Sequence, residues 1–477
     1  MWEEKMQKKS YITLIGCAVF LIPAILIMFL KPFPDLGDTG TMVVAGVLIT
    51  VAIWIFKPFK LPFSMGGIFL AMWLLILGVK PAVVFAGFTQ SAIWTLIPAL
   101  FFGFVLQKTG LGTRLAMLVM GLIKKPTYIK LMLAWVIIGI GLSILTPSIT
   151  VRVVIIVPIA AKSCELFGIE KNSRGNSLIL LVAFAMALIP GTGWLTGSLG
   201  GPILQGLFGA VPELNGMLTF SSWLSTSFLP MEIATVLMLV LGYLFLRPKD
   251  KLAAAVSPEL EAAKNTPWSS KEKITCIILC SVFALFATSK IHGIPDTAVC
   301  LLALLLFFVL DILDSKDIGT GISWDLVMFI AFSLSLGSVF GSTGVSAWLS
   351  ALVVGMLAPV SSSSWLLIYT IAIFLFAWRF LDIAILMPTM ALLVPVLPAI
   401  SSAYGISPLV WTTLFVMALN CFFMPYQNMW ALMSQSITGD RCWAPKHLSA
   451  YGLAYFLACM AALAVAIPYW TSQGLIK

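Results

Sequence analysis

Charge is scarce in this 477-residue chain: Asp, Glu, Lys and Arg make up 10% of it, against roughly 25% in an ordinary soluble domain. Histidine is scarcer still, with only His292 and His447, and neither sits in a histidine–carboxylate cluster. A catalytic zinc site is therefore not expected, and neither is any other metal centre. None of the eight cysteines forms a CxxC pair, and most lie inside apolar runs. Cys276 and Cys280, one helical turn apart, read as packing or lipid-facing thiols. No catalytic carboxylate pair stands near a histidine, so a membrane-embedded enzyme is not expected either.

Apolar residues fill the space, at 60% of the chain. A bilayer core needs about 20 apolar residues per helix, and such runs recur throughout. The polar stretch Met1–Ser10 followed by an apolar run from Tyr11 to Leu30 reads as a first span, not a cleaved signal peptide. The net charge of +9 comes from basic residues scattered among short loops, which carries topology and argues against nucleic acid as a partner. The expectation is an all-α polytopic membrane protein with the lipid bilayer as its surroundings.

Eleven full spans are expected, near 11–30, 41–56, 63–79, 91–107, 177–208, 228–246, 274–289, 296–310, 325–342, 408–437 and 451–469. Two of them, 177–208 and 408–437, are interrupted. Two more apolar stretches, 128–168 and 365–403, are split near the middle by polar or proline-containing residues and read as re-entrant hairpins. With the amino terminus inside, 22 basic residues fall inside and four (Lys31, Lys80, Lys290, Lys477) outside, with Arg152 and Arg379 left within the membrane. The expected location is a cell membrane of the bacterial inner-membrane type, with a cytoplasmic amino terminus and an outside carboxyl terminus.

An internal repeat supports this scheme. Gly103, Thr109-Gly110, Leu115 and Gly121 recur as Gly337, Thr343-Gly344, Leu349 and Gly355, shifted by 234 residues. Pro158 and Gly168 recur as Pro395 and Gly405, shifted by 237, and Pro190 and Pro425 fall at matching points of the interrupted helices. The organisation read from this is an N-terminal span and loop over 1–40, a first repeat over 41–246, a cytoplasmic linker over 247–273 and a second repeat over 274–477. The two repeats enter from opposite faces. Inverted repeats with paired broken helices mark alternating-access transporters.

Four places carry candidate binding groups. At the first hairpin tip, Pro147 frees a backbone carbonyl while Thr146, Ser148 and Thr150 offer hydroxyls. Arg152, four residues past Ser148, puts a cation at membrane depth, where a partner or an anionic substrate must answer it. The first break, Pro190 to Pro202, holds Thr192, Gly193, Thr196, Gly197 and Ser198 and cannot continue an α-helix. A half-helix starting near Gly201 aims its amino-terminal dipole at an anion. The second break brings Tyr426, Gln427 and Asn428, which serve either a ligand or inter-helix bonding. The second hairpin holds Pro388 and Thr389 at its break, and Arg379 with Asp382, three apart on a helix face, as a structural or gating pair.

At these residues the chain resembles the divalent anion/sodium symporter family, from about Met42 to the carboxyl terminus. Thr146-Pro147-Ser148-Ile149-Thr150-Val151-Arg152 looks most like the Thr-Pro-Ser-Asn-Thr-Ala-Arg tip of the bacterial citrate and plastid 2-oxoglutarate/malate exchangers. The resemblance implies two inverted repeats, an elevator-like movement and a homodimer. It also implies Ser-Asn-Thr motifs that form two sodium sites and contact substrate carboxylates. Here the first motif Asn is Ile149, and the second motif falls on Ile385-Leu386-Met387, without a polar side chain. The reading is thus a secondary transporter of a small organic anion, a di- or tricarboxylate, working as an exchanger with little or no sodium dependence. No cofactor is expected, and at most one Na+ at a weak site built from backbone carbonyls. Alternatives are an inorganic-anion or proton/sodium-coupled carrier, and a non-transporting membrane receptor on the same fold.

Overall fold

The computed structural model describes residues 2–123, 126–249, 252, 266–382 and 386–477. Over these the chain is helical, and a lone antiparallel bridge, Ile406 to Ile476, is the sole extended pairing among the described residues. After α1 (Trp2–Leu30), the first unit runs through α2 (Gly37–Phe56), α3 (Phe63–Ile76), α4 (Ser91–Lys108) and α5 (Leu111–Met120). A hairpin follows, α6 (Tyr128–Leu145) and α7 (Ile149–Leu166), then α8 (Arg174–Leu188), α9 (Gly200–Gly209) and α10 (Phe220–Leu246). The second unit comprises α11 (Ser270–Ala287), α12 (Asp296–Val309), α13 (Trp324–Ser342), α14 (Val345–Leu357) and α15 (Ser364–Trp378). It ends with α16 (Met387–Tyr404), α17 (Pro408–Leu419), α18 (Met429–Thr438) and α19 (Pro445–Ser472).

The repeat is visible at atomic detail. Gly110 and Gly344 cap α5 and α14 with φ of 74° and 77°, a conformation that costs a residue with a side chain and that glycine adopts freely. Just before them, the Thr109 hydroxyl donates to the Val105 carbonyl at 2.8 Å and the Thr343 hydroxyl to Val339 at 2.7 Å, the same bond 234 residues apart. Packing between units is exchanged pairwise. α3 lies on α13 and α12 on α4, α2 contacts α14 and α11 contacts α5, and α7 meets α18 as α16 meets α9. That reciprocity is the mark of a two-fold relation. Taking α2, α3, α4, the α8–α9 pair and α10 as the crossings of the first unit gives an odd number, so the second unit is inverted.

Eight helices among the described residues are long and apolar enough to cross a membrane, or nine if Val345–Val360 and Ser364–Trp378, bent by 115°, make one span. This differs from the eleven expected because five crossing helices are short or charged: α1 enters the tally over Gly16–Leu30 alone, and α11 opens on Lys271, Glu272 and Lys273. α3 and α12 have fourteen residues each, about 21 Å against a hydrocarbon core of about 30 Å. α17 stops after twelve at the break. Conversely, α6 and α16 pass on length although they are hairpin limbs.

The first tip is held inside the protein. Thr146, Ser148 and Ile149 are all buried, and a Cβ on Gly103 of α4 would lie 2.8 Å from the Ser148 Cβ. Glycine at 103, twelve residues into α4 and five from its end, therefore lets the tip seat against the side of a crossing helix. α8 is buried from Gly175 to Leu188 and forms the centre of the first unit.

Of the expected linker 247–273, residues 250–251 and 253–265 lie outside the described residues, and its last residues already belong to α11. Its end is anchored: Arg114 Nε reaches Glu272 at 2.6 Å and its Nη1 donates to the Thr266 carbonyl at 2.8 Å. The described ion pairs outside the hairpins, such as Lys108–Asp317 and Lys171–Asp440, join residues that the charge pattern places on one face.

Candidate anion site at the hairpin tips and helix breaks

The chain folds into a tip at 146–148 because Pro147 has no N–H to donate and Thr146 is extended (φ −154°). Thr146 Oγ1 accepts from the Ser148 N–H at 3.1 Å, and Ser148 Oγ accepts from Val151 N–H as the cap of α7. One turn on, Arg152 is fully buried. Its Nη1 donates to the Gly197 carbonyl at 2.7 Å, reaching from the hairpin into the break between α8 and α9. Nε and Nη2 of Arg152 have no partner among the described residues.

That break is built on glycine. Pro190–Gly193 forms a 3-10 turn and Trp194 turns extended. A Cβ on Gly191 would lie 2.1 Å from the Gly197 carbonyl oxygen and 2.7 Å from Arg152 Nη1, so two strands of backbone and a guanidinium share one place. Thr192 is turned inward, its Oγ1 donating to the Ile189 carbonyl at 2.6 Å while its own carbonyl accepts from Trp223 Nε1 at 3.0 Å. Ser198 Oγ and Trp194 Nε1 are buried without partners among the described residues.

The second half follows the same logic with other residues. Pro425–Gln427 forms a 3-10 turn and Asn428 is extended, as Trp194 is after the first break, while Met424 is extended where Ile189 is still helical. Arg379 is fully buried, and its guanidinium donates to the carbonyls of Asp382 and Gln427. Its Nη1 lies 3.9 Å from Asp382 Oδ1, and Asp382 Oδ2 accepts from Thr389 Oγ1 at 2.5 Å, which in turn accepts from Trp378 Nε1. The expected helix-face pairing of Arg379 with Asp382 is corrected here. α15 ends at Trp378, so the two residues meet across a turn beyond the helix end. Pro388 sits in the first turn of α16, and Leu386 precedes it in a left-handed conformation (φ 57°). Ile385 lies outside the described residues, while Leu386 and Met387 are buried apolar groups.

The two halves touch. Trp430 Nε1 donates to Thr150 Oγ1 at 3.0 Å, and Asn420 Nδ2 reaches Thr192 Oγ1 at 3.4 Å. Asn428 Oδ1 caps α18 through the N–H groups of Trp430 and Ala431, leaving Nδ2 without a partner among the described residues. Gln427 spends Oε1 on Met424 N–H, and its Nε2 is likewise unpartnered. Tyr426, by contrast, is 46% exposed and its ring turns away from this cluster. Gly193 and Thr196 lie at the edge of the first break, and Thr196 faces a small neighbouring cavity of about 20 Å³. That cavity is apolar apart from Thr95 and Thr196, and Arg152 does not line it.

Unsatisfied donors therefore gather here: Arg152 Nε and Nη2, Arg379 Nε, Trp194 Nε1, Gln427 Nε2 and Asn428 Nδ2. Buried polar groups are normally paired, and a local surplus of donors, one of them an unpaired guanidinium, is complementary to an oxygen-rich anion. The amino-terminal ends of α7 and α18 meet beside it and add positive dipole ends. Sequence reasoning had passed over Asn420 and Trp430. The 235-residue spacing of the two breaks gives no signal for them, since they answer Ala185 and Leu195.

Paired hairpins and broken helices around a buried, donor-rich centre define a membrane transporter, not an enzyme. The profile of the "sodium:sulfate symporter transmembrane region" matches residues 12–436, and the chain belongs to that family, the divalent anion/sodium symporters. Among its relatives, the putative malate transporter YflS of Bacillus subtilis is 24% identical over 379 residues, covering 77% of each chain. The L-tartrate/succinate antiporter of Escherichia coli strain UTI89 is 26% identical over 291 residues, 58% of each chain. A Cupriavidus necator membrane protein is 24% identical over 371 residues, 74% of this chain and 70% of that one. The crystal structure of the Alcanivorax borkumensis YdaH transporter shares the fold at a TM-score of 0.53 and 14% identity, covering 98% of this chain and all of the other.

Proposed function

We propose that the protein is a secondary exchanger of small organic dianions or trianions, which runs without sodium. The observation that carries this reading is Arg152, buried, uncompensated by any carboxylate among the described residues and holding the Gly197 carbonyl with one N–H while others stay free. A fixed cation supports anion binding without a co-transported ion. A sodium site needs several oxygen ligands. Ile149 offers none, and the break carbonyls of Gly197 and Gln427 are engaged by Arg152 and Arg379. What remains supports at most one weak Na+. The dicarboxylates named for the malate and tartrate/succinate relatives favour a carboxylate over an inorganic anion.

A carrier with a built-in cation returns poorly when empty, so flux should depend on substrate at both faces. Labelled malate, succinate or tartrate uptake into proteoliposomes is expected to proceed in choline chloride and to rise at least tenfold with unlabelled substrate inside. Uptake that needs a sodium gradient and ignores internal substrate would show the reading to be wrong. Absence of flux for every anion tested would favour a receptor.

The proposed orientation has its own test. A cysteine introduced in the 253–265 segment is expected to react with a membrane-impermeant maleimide only from the cytoplasmic side, and one at Lys477 only from outside, with Cys276 and Cys280 replaced beforehand. Labelling of both from one face would rule out an odd number of crossings between them.

A further inference from the structure

The transport reading leaves one half-buried titratable group without a task. Glu232 lies in α10, a helix that runs from Phe220 to Leu246. Twelve residues separate it from one end and fourteen from the other, so it stands about 18 and 21 Å from them, near the middle of the membrane. Its Oε1 is buried and has no partner among the described residues. It faces the first break directly, for a Cβ on Gly193 would come within 3.0 Å of it. Two residues earlier in the same turn, a Cβ on Gly191 would meet Arg152 Nη1. The carboxylate and the guanidinium thus flank one glycine turn.

Among the described residues no cation pairs with Glu232, and Arg152 stands across the glycine turn from it. Tyr469 Oη donates to the Ser225 carbonyl and the Tyr451 ring fills the place beside Gly242, which fixes α19 antiparallel to α10. That register sets Glu232 opposite Ala461 and Ala462, and the residues within a turn of them, Ala458 to Val465, carry one titratable side chain, the Cys459 thiol. α17 has none, the 3-10 turn at 190–193 has none, and neither does the π-turn Leu224–Phe228. On α8 the titratable residue is Arg174, at the far end of a fifteen-residue helix. The Cys459 thiol is buried, and Arg152 on α7 is held by Gly197. An ionised carboxylate with an unpartnered oxygen at mid-membrane is costly.

We propose that Glu232 is a proton-binding site of the transport cycle. Its carboxyl holds a proton, taken from water on one face, while it packs against the Gly191–Gly193 turn. It gives that proton back to water when the turn opens to an aqueous face, and translocation proceeds only with the carboxyl neutral. The chemistry is one proton on and one proton off, with no other reactant.

This rests on the transport reading, and the test separates the two. Exchange of labelled succinate for succinate is measured in proteoliposomes at equal internal and external pH, across a range where the substrate stays doubly ionised. Wild type is expected to slow on its alkaline limb by about tenfold per pH unit, as a single required proton is lost. Glu232→Gln, permanently neutral, is expected to exchange at a rate independent of pH with unchanged thermal stability. Glu232→Asp is expected to displace the alkaline limb, which decides the matter if the Gln variant does not fold. Wild type without an alkaline limb, a Gln variant that keeps the wild-type limb, a folded Gln variant that does not exchange at any pH, or an Asp variant with an unmoved limb would each overturn the proposal. If wild type does not exchange any dicarboxylate, it is the transport reading that fails.

Discussion

Arg152→Gln is expected to weaken dicarboxylate binding by more than about a hundredfold while the protein remains folded. The guanidinium has Nε and Nη2 free of protein partners among the described residues. Charge-assisted hydrogen bonds contribute about 1.5–3 kcal/mol each, so losing two costs about 3 kcal/mol or more, a factor above one hundred in Kd. Folding should survive because the described residues hold no carboxylate paired with Arg152, so its removal strands no opposite charge. Arg152→Lys should not rescue binding. A single ammonium group cannot both hold the Gly197 carbonyl and present a flat fork to a carboxylate. Isothermal titration of purified variants with succinate and malate provides the check, with thermal unfolding in detergent as the control. A folded Gln variant that binds at wild-type affinity removes Arg152 from the substrate site.

Asp382→Asn should behave in the opposite way, lowering stability first. Arg379 and Asp382 are both fully buried, and Thr389 donates to the carboxylate at 2.5 Å. Neutralising the acid leaves a buried guanidinium with carbonyl partners only, at an expected cost of about 3–5 kcal/mol. The double variant Arg379→Met/Asp382→Leu should recover most of that stability, because neither charge is left alone. It should not recover exchange, since the second break loses the group that holds the Gln427 carbonyl. Thermal unfolding of the two single and the double variants forms the cycle. Equal melting of Asp382→Asn and wild type would mean that the pair carries no stability.

What could be read from the residues follows a pattern. Backbone-dictated features were legible, because proline and glycine act locally. Pro147, Pro190 and Pro425 end helices wherever they fall, and Gly110 and Gly344 mark the same left-handed cap in both units. Arg152 was legible as a cation at depth, since its cost there does not depend on its neighbours. Partner choice was not legible. Ser148 and Asn428 proved to cap the helices behind them, and the spacing of Arg379 and Asp382 suggested a helix face that the early end of α15 removes. Tyr426 turns outward although it sits between Pro425 and Gln427, because three residues of a tight turn cannot all face one side. Glu232 drew no notice as one acid in an apolar run, for only the fold sets Gly193 against it.

The difference between the two buried arginines has an electrical side. Arg379 is neutralised by Asp382, whereas Arg152 carries a net positive charge into the centre of the protein. If the unit bearing Arg152 shifts across the membrane field, the empty carrier moves as a monocation, with up to about 2.3 kcal/mol per 100 mV acting on it. With a doubly charged anion aboard, the same unit moves as a monoanion and the force reverses. Voltage, negative inside, then draws the empty site inward and pushes the loaded site outward. One-for-one exchange of anions of equal valence remains electrically silent, while any net uptake must work against the field in both halves of the cycle.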